Sequence, residues 1–192
     1  DEPFNAGAGM FLSNYSSIVF SGVLNTGVIT VPVNRSSTGL GWNLIGNPYT
    51  ATVDWRSVNK SNIDDVFWIY RNDIGTYGVY NNHTGVGVGL NTPSYLIPSS
   101  HAFWVRVTQG RTTGSVSFTP ASTVHNSFSY LKSGKKGNYP HVKLQTVFNG
   151  MMDETAVALV PDATVGATDV FDSDKIFGQN VNMGEVYTIA SN

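Results

Sequence analysis

The sequence predicts an all-β fold: an antiparallel, jelly-roll-like β-sandwich followed by a second, smaller set of β-strands. Three observations predict it. Helical periodicity is nearly absent, since apolar positions at i, i+3, i+4 and i+7 are everywhere interrupted by Gly or Pro. Period-two alternation of apolar and polar residues recurs instead along most of the chain. Turn chemistry separates these runs at the roughly 8–12-residue spacing of sandwiches and barrels.

Taken in order, the first pair is expected at Ser17–Phe20 and Gly27–Val33, joined by a turn at Leu24-Asn25-Thr26-Gly27. Trp42 and Leu44 then lead into Gly46-Asn47-Pro48. Gly and Asn tolerate left-handed backbone and Pro fixes φ, so this triplet is a turn, and Thr50, Val53 and Trp55 lead out of it. Asp54 to Asn62 is the single helical candidate, with Asp54 as cap and Trp55 as anchor. Val66–Tyr70 and Gly75–Tyr80 flank Arg71-Asn72-Asp73-Ile74 as a hairpin. Ala102–Thr108 is expected to pair with Gly114–Thr119 across Gln109-Gly110-Arg111.

Residues 120–140 are polar and poor in alternation. They divide the chain into a sandwich module at 1–119 and, at 120–192, a linker with a C-terminal strand subdomain. Within the latter, Val142–Phe148 and Thr155–Val160 flank Asn149-Gly150, a strong hairpin signal. Val181 to Ile189 alternates again and is read as a last strand with an open edge, which invites pairing with another chain.

Composition excludes several functions. Charged residues make up 12% of the chain, against about 25% in an average soluble domain, and Gly accounts for 20 positions. Net charge is −2, and Lys132, Lys135 and Lys136 form the sole basic cluster, so a nucleic-acid partner is not expected. Cysteine is absent, which rules out disulfides. No apolar run approaches the ~18 residues of a membrane-spanning helix.

Aromatic residues are the main binding candidates. Alternation in Val66–Tyr70 sets Val66, Trp68 and Tyr70 on one face and Phe67 and Ile69 on the other; in Ala102–Val107, Trp104 and Arg106 share a face opposite Phe103. Sugar rings stack on flat aromatic surfaces while polar groups bind their hydroxyls. Trp104, Arg106, Tyr77, Tyr80 and Asn81 are therefore the expected ligand-binding set, for a polysaccharide or glycan. Filling the core is the competing role for every aromatic side chain, and it is the one expected for Trp42, Trp55 and Phe103.

Asp169, Asp172 and Asp174 are the candidate metal ligands, since clustered carboxylates suit Ca²⁺; the competing role is turn capping and pairing with Lys175. Asp64, Asp65 and Asp73 repeat the idea more sparsely. His83, His101, His125 and His141 stand singly, with no HxH, HExxH or GxSxG pattern, and Glu is limited to Glu2, Glu154 and Glu185. No catalytic residues are expected.

The stretch Gly41–Trp55, GWNLIGNPYTATVDW, resembles a recurrent GWNLVGNPY…DW signature of secreted and cell-surface proteins of Bacteroidota exported by type 9 secretion. Gly7–Phe11, Phe20–Gly27, Val66–Tyr80, Ile97–Val107, Val142–Phe148 and Asp169–Gly178 follow in the order that family shows. Ser100-His101 stands where the family often has Gly-Gln. The resemblance implies a non-catalytic β-rich module, extracellular or on the cell surface, beside enzymes, adhesins or repeats. Two functions are then expected to compete: carbohydrate binding or adhesion through exposed aromatics, and a structural spacer or self-assembly role through strand edges. The partners would be a glycan, neighbouring domains of the same precursor, or another chain at the C-terminal strands. In such a bacterial chain the sequons at Asn14, Asn34, Asn59 and Asn82 read as chance, and Asp1 and Asn192 read as the ends of a processed piece.

Overall fold

The computed structural model describes residues 4–11, 19, 21–72, 74–89, 94–125, 138–166, 169–180 and 182–189. Most of the expected strand Ser17–Phe20, together with Asp73, Lys132, Lys135, Lys136 and Val181, lies outside them. The fold is all-β with several antiparallel sheets, a sandwich plus a smaller C-terminal strand pair. Among the described residues there is no α-helix, only two short 3-10 turns, and hence no helix long and apolar enough to cross a membrane.

The chain forms two compact units that do not follow the expected 1–119 and 120–192 division. Unit 1 comprises Asp1–Ile63 and Leu96–Ser127; unit 2 comprises Asp64–Tyr95 and Phe128–Asn192. The polar composition after Pro120 does not end unit 1, because Thr123 and Val124 still pair with Val53 and Thr52.

Unit 1 contains β1 (Ile29–Asn34), β2 (Trp42–Gly46), β3 (Thr52–Asp54) and β4 (Asn59–Ser61). Unit 2 supplies β5 (Val66–Arg71), β6 (Thr76–Asn81) and β7 (Val86–Val88). The chain returns to unit 1 for β8 (Leu96–Ile97), β9 (Ala102–Arg106), β10 (Thr113–Phe118) and β11 (Thr123–Val124), and ends in unit 2 with β12 (His141–Phe148) and β13 (Met151–Ala158).

In unit 1, β10 lies between β1 and β4, β3 between β11 and β8, and β2 pairs with β9, all antiparallel. The partner of β1 is thus β10, not the segment before it. Likewise β9 and β10, expected as a hairpin, go to different partners. Pro32 explains part of this arrangement: it has no N–H to give to a ladder and is tolerated because β1 is an edge strand. Val31 and Val33 of β1, Ile45 of β2, Phe103 and Val105 of β9, and Val116 and Phe118 of β10 form the buried interior of the sandwich, as their alternation predicts.

The turn after β2 is built as its residues demand. Asn47 is buried; its Nδ2 donates to the carbonyls of Ala51, Ile97 and Pro98, and its Oδ1 accepts from Tyr49 N–H at 3.0 Å. The helical candidate shrinks to a 3-10 turn, Trp55–Ser57, where the Asp54 carboxylate accepts from Arg56 N–H. Trp55 is wholly buried and meets Phe103 edge-on at 5.6 Å. Trp42, also expected in the core, is only half-buried. Its register partner is Arg106, whose guanidinium stacks 5.4 Å above the indole, so Trp42 lies on the outward face of β2–β9. Replacing Trp42 by alanine should cost roughly 1–2 kcal/mol in a denaturant melt, well below a core-tryptophan loss.

In unit 2, β5, β6 and β7 form the expected hairpin extended by a third strand, with Val66, Phe67, Trp68 and Ile69 all buried. The second expected hairpin is β12–β13. Asn149 (φ +52°) and Gly150 (φ +76°) both take the left-handed conformations of a two-residue type I′ turn, and Phe148 pairs with Met151 across it. Residues 182–189, expected to be a strand, run without one: Val186 N–H and Gly178 N–H bond to the carboxylates of Asp153 and Glu185, so side chains take the place of a ladder.

Candidate functional site

The expected ligand-binding set divides between the two units. Trp104 and Arg106 lie on β9 in unit 1, and Tyr77, Tyr80 and Asn81 on β6 in unit 2.

On β9, Phe103 and Val105 point inward, leaving Trp104 and Arg106 on the opposite face, both half-buried. Register places Leu44 opposite Trp104 and Trp42 opposite Arg106, so Trp42, Arg106 and Trp104 share one outward face. Sequence reasoning kept Trp104 and Arg106 for this face and misplaced Trp42. The signal was present: Trp42 and Leu44 fall in opposite phase to buried Ile45, as Trp104 does to buried Phe103. The Trp104 indole N–H is itself enclosed and has no hydrogen-bond partner, so the half-exposed ring, not its N–H, is what this face offers to a ligand.

On β6, Tyr80 is buried against Phe67 and Tyr95, with ring centroids at 5.7 and 6.4 Å. It belongs to the core, which removes it from a surface platform. Asn81 is buried too, and its hydrogen bonds are taken up within the chain. Nδ2 reaches the carbonyls of Val170 and Asp172 and the Ser173 hydroxyl, while Oδ1 accepts from His83 N–H and Thr84 N–H. A side chain with its donors and acceptor engaged in this way organises its own chain, not a sugar. Tyr77 is half-buried, its ring tilted against Tyr70 at 5.0 Å, and lines a small cleft with Trp68, Glu154, Asp174 and Lys175.

The aspartates do not assemble into a metal centre. Among the described residues no three His, Cys, Asp or Glu side chains converge as ligands. Asp169 and Asp172 work as turn staples instead. Asp169 Oδ2 accepts from Thr164 N–H at 2.7 Å, Oδ1 accepts from Phe171 N–H at 2.9 Å, and Asp172 N–H donates to the Asp169 carbonyl. Asp174 supplies its backbone carbonyl to the Trp68 indole N–H at 2.8 Å. Lys175 turns away from these aspartates and pairs with Asp153 on β13.

The two staple carboxyls titrate in opposite directions. Burial pushes Asp169 upward, but the N–H groups of Thr164 and Phe171 and the Thr164 hydroxyl outweigh it and hold the carboxyl below the ordinary range. Burial, and then the neighbouring Asp169 charge, hold Asp172 above it. The stability Asp169 contributes is present above its unfolded value and is lost as pH falls through its lower folded value. That of Asp172 is present below its unfolded value and is lost as pH rises through its higher folded one. A carboxyl NMR titration should therefore place Asp172 above Asp169; coincident midpoints would contradict the turn geometry.

Two buried acids that the sequence reading did not single out, Asp153 and Glu154, each hold an ion pair in unit 2. Glu154 receives Lys143 Nζ at 2.8 Å and Gln145 Nε2 at 2.7 Å. Ser100, with φ +60°, adjoins His101, whose Nδ1 lies 3.2 Å from the Ser99 carbonyl. Compared with protein families, curated proteins and solved structures, the chain matches none.

Proposed function

We propose that the chain is a non-catalytic extracellular module of a secreted or surface bacterial protein, and that it works by assembly through the β12–β13 ribbon. One observation carries this reading. Val142 and Val157, opposite each other in the ladder, are 63% and 52% exposed, with Leu144 and Leu159 exposed beside them on the same face. Among the described residues β12 pairs with β13 alone, and its other side is the edge proposed to take a further strand. An apolar face beside an open edge templates another strand, and the occupant proposed is the β12 edge of a second copy. The extracellular setting is supported by the low charge and by the resemblance carried by Gly41–Trp55.

Light scattering over a concentration series tests the reading. The parent chain should grow in mass with concentration and Leu144→Lys should not, while its thermal unfolding stays unchanged because Leu144 is exposed. A parent chain monomeric throughout the series would reject assembly.

A second reading, glycan binding, is favoured by the outward face that joins Trp42, Arg106 and Trp104. It requires polysaccharide pull-down by the parent chain and its loss in Trp104→Ala. Binding undiminished in that variant would remove this face from consideration.

A further inference from the structure

Asp153 on β13 is wholly buried. Its Oδ2 receives two donors, Lys175 Nζ at 2.5 Å and Val186 N–H at 2.8 Å, while its Oδ1 is enclosed with no hydrogen-bond partner. The Lys175 side chain is 19% exposed. As an ion pair this arrangement is poor. Removing two charges from water is repaid only when the remaining lone pairs are satisfied, and one carboxylate oxygen is not. The contact is also shorter than the ~2.7–2.9 Å usual between ammonium and carboxylate.

We propose that Lys175 and Asp153 condense into an intramolecular amide, an isopeptide cross-link. The Lys175 nitrogen attacks Asp153 Cγ, forming the N–C bond; the Cγ–Oδ1 bond breaks and Oδ1 leaves as water. Atoms balance within the pair. Of the three ammonium protons, one stays on the amide nitrogen and two depart with the oxygen. No oxidant, reductant or third reactant enters. The geometry supplies what such a step needs: a nucleophile held in contact with an acyl group that is wholly buried. Val186 N–H is aimed at the oxygen that becomes negative in the tetrahedral intermediate and remains as the amide carbonyl. The product keeps that hydrogen bond, eliminates both buried charges and discards the unsatisfied oxygen.

The cross-link has a clear structural use. It fastens the strandless segment 169–180 to the β12–β13 hairpin in a chain whose lack of cysteine denies it a disulfide. It is independent of the assembly reading.

The intact mass of the purified, denatured chain decides the matter. The parent should be lighter than its sequence by one water, and proteolysis should yield a branched peptide joining Lys175 to Asp153. Lys175→Arg retains the charge but lacks the condensing amine, and should show the full sequence mass. A parent chain at full mass would overturn the proposal. So would a missing water that persists in Lys175→Arg, since the dehydration would then lie elsewhere.

Discussion

Replacing Trp55 by alanine should lower stability by about 3–5 kcal/mol, the range seen when a large aromatic is deleted from a packed interior. Trp55 is 0% exposed. Its ring takes the edge of Phe103, itself fully buried on β9, and Lys60 Nζ sits 4.6 Å above its face while donating to the Trp55 carbonyl. The site has little freedom to collapse, since Asp54 pins the 3-10 turn through Arg56 and the strands around Phe103 are held in register. Lys60 would also lose its cation–π contact. Thermal or urea unfolding of the two tryptophan variants side by side is the measurement. A Trp55→Ala loss no larger than that of Trp42→Ala would refute the burial difference between them.

Asn47→Ala should cost about 2–4 kcal/mol, although it deletes only a small side chain. The amide nitrogen serves three carbonyls, those of Ala51, Ile97 and Pro98, from within a buried turn, and the amide oxygen serves Tyr49 N–H. Each hydrogen bond is worth ~0.5–1.5 kcal/mol, and a buried group left without its partner costs ~1–3 kcal/mol. Asn47→Asp makes a sharper comparison: it is nearly isosteric and keeps the acceptor for Tyr49, but turns an oxygen toward three carbonyl oxygens. It should destabilise at least as much as alanine at neutral pH and recover in part when acid protonates it. Equal stability of parent and Asn47→Asp would show that the amide nitrogen is not the group that matters.

Legibility in the sequence followed locality. The β5–β6 and β12–β13 hairpins were readable because alternation and turn chemistry lie side by side, Asn149-Gly150 most clearly. The pairings of β1 with β10 and β2 with β9 were not. Alternation marks a strand and its faces but is silent on which distant strand it will meet, and the tight turn at Gln109-Gly110-Arg111 reads as a hairpin although it links two sheets. The division into units failed for the same reason, since composition does not reveal that residues 64–95 cluster with 128–192.

Of the candidate site residues, Trp104 and Arg106 kept their outward face. Tyr80 and Asn81 did not, because a half-polar strand such as β6 gives no sign of the segment 170–173 that returns to it. Asp153 and Glu154 lie just before the expected strand Thr155–Val160, and nothing local in the sequence shows that Lys175 and Lys143 come to meet them in the interior.

The interleaved units carry a consequence for the order in which the chain acquires structure. Among the described residues every strand pairing within unit 1 joins residues that precede Ser127, so a growing chain has those ladders in hand once Val124 has emerged. Residues 64–95 stand differently. Their hairpin forms early, but the acceptors of Trp68 and Asn81 arrive only with Val170–Asp174. A nascent chain therefore holds the ladders of one unit and an apolar hairpin awaiting its cover, an interval in which a chaperone would have a defined surface to protect.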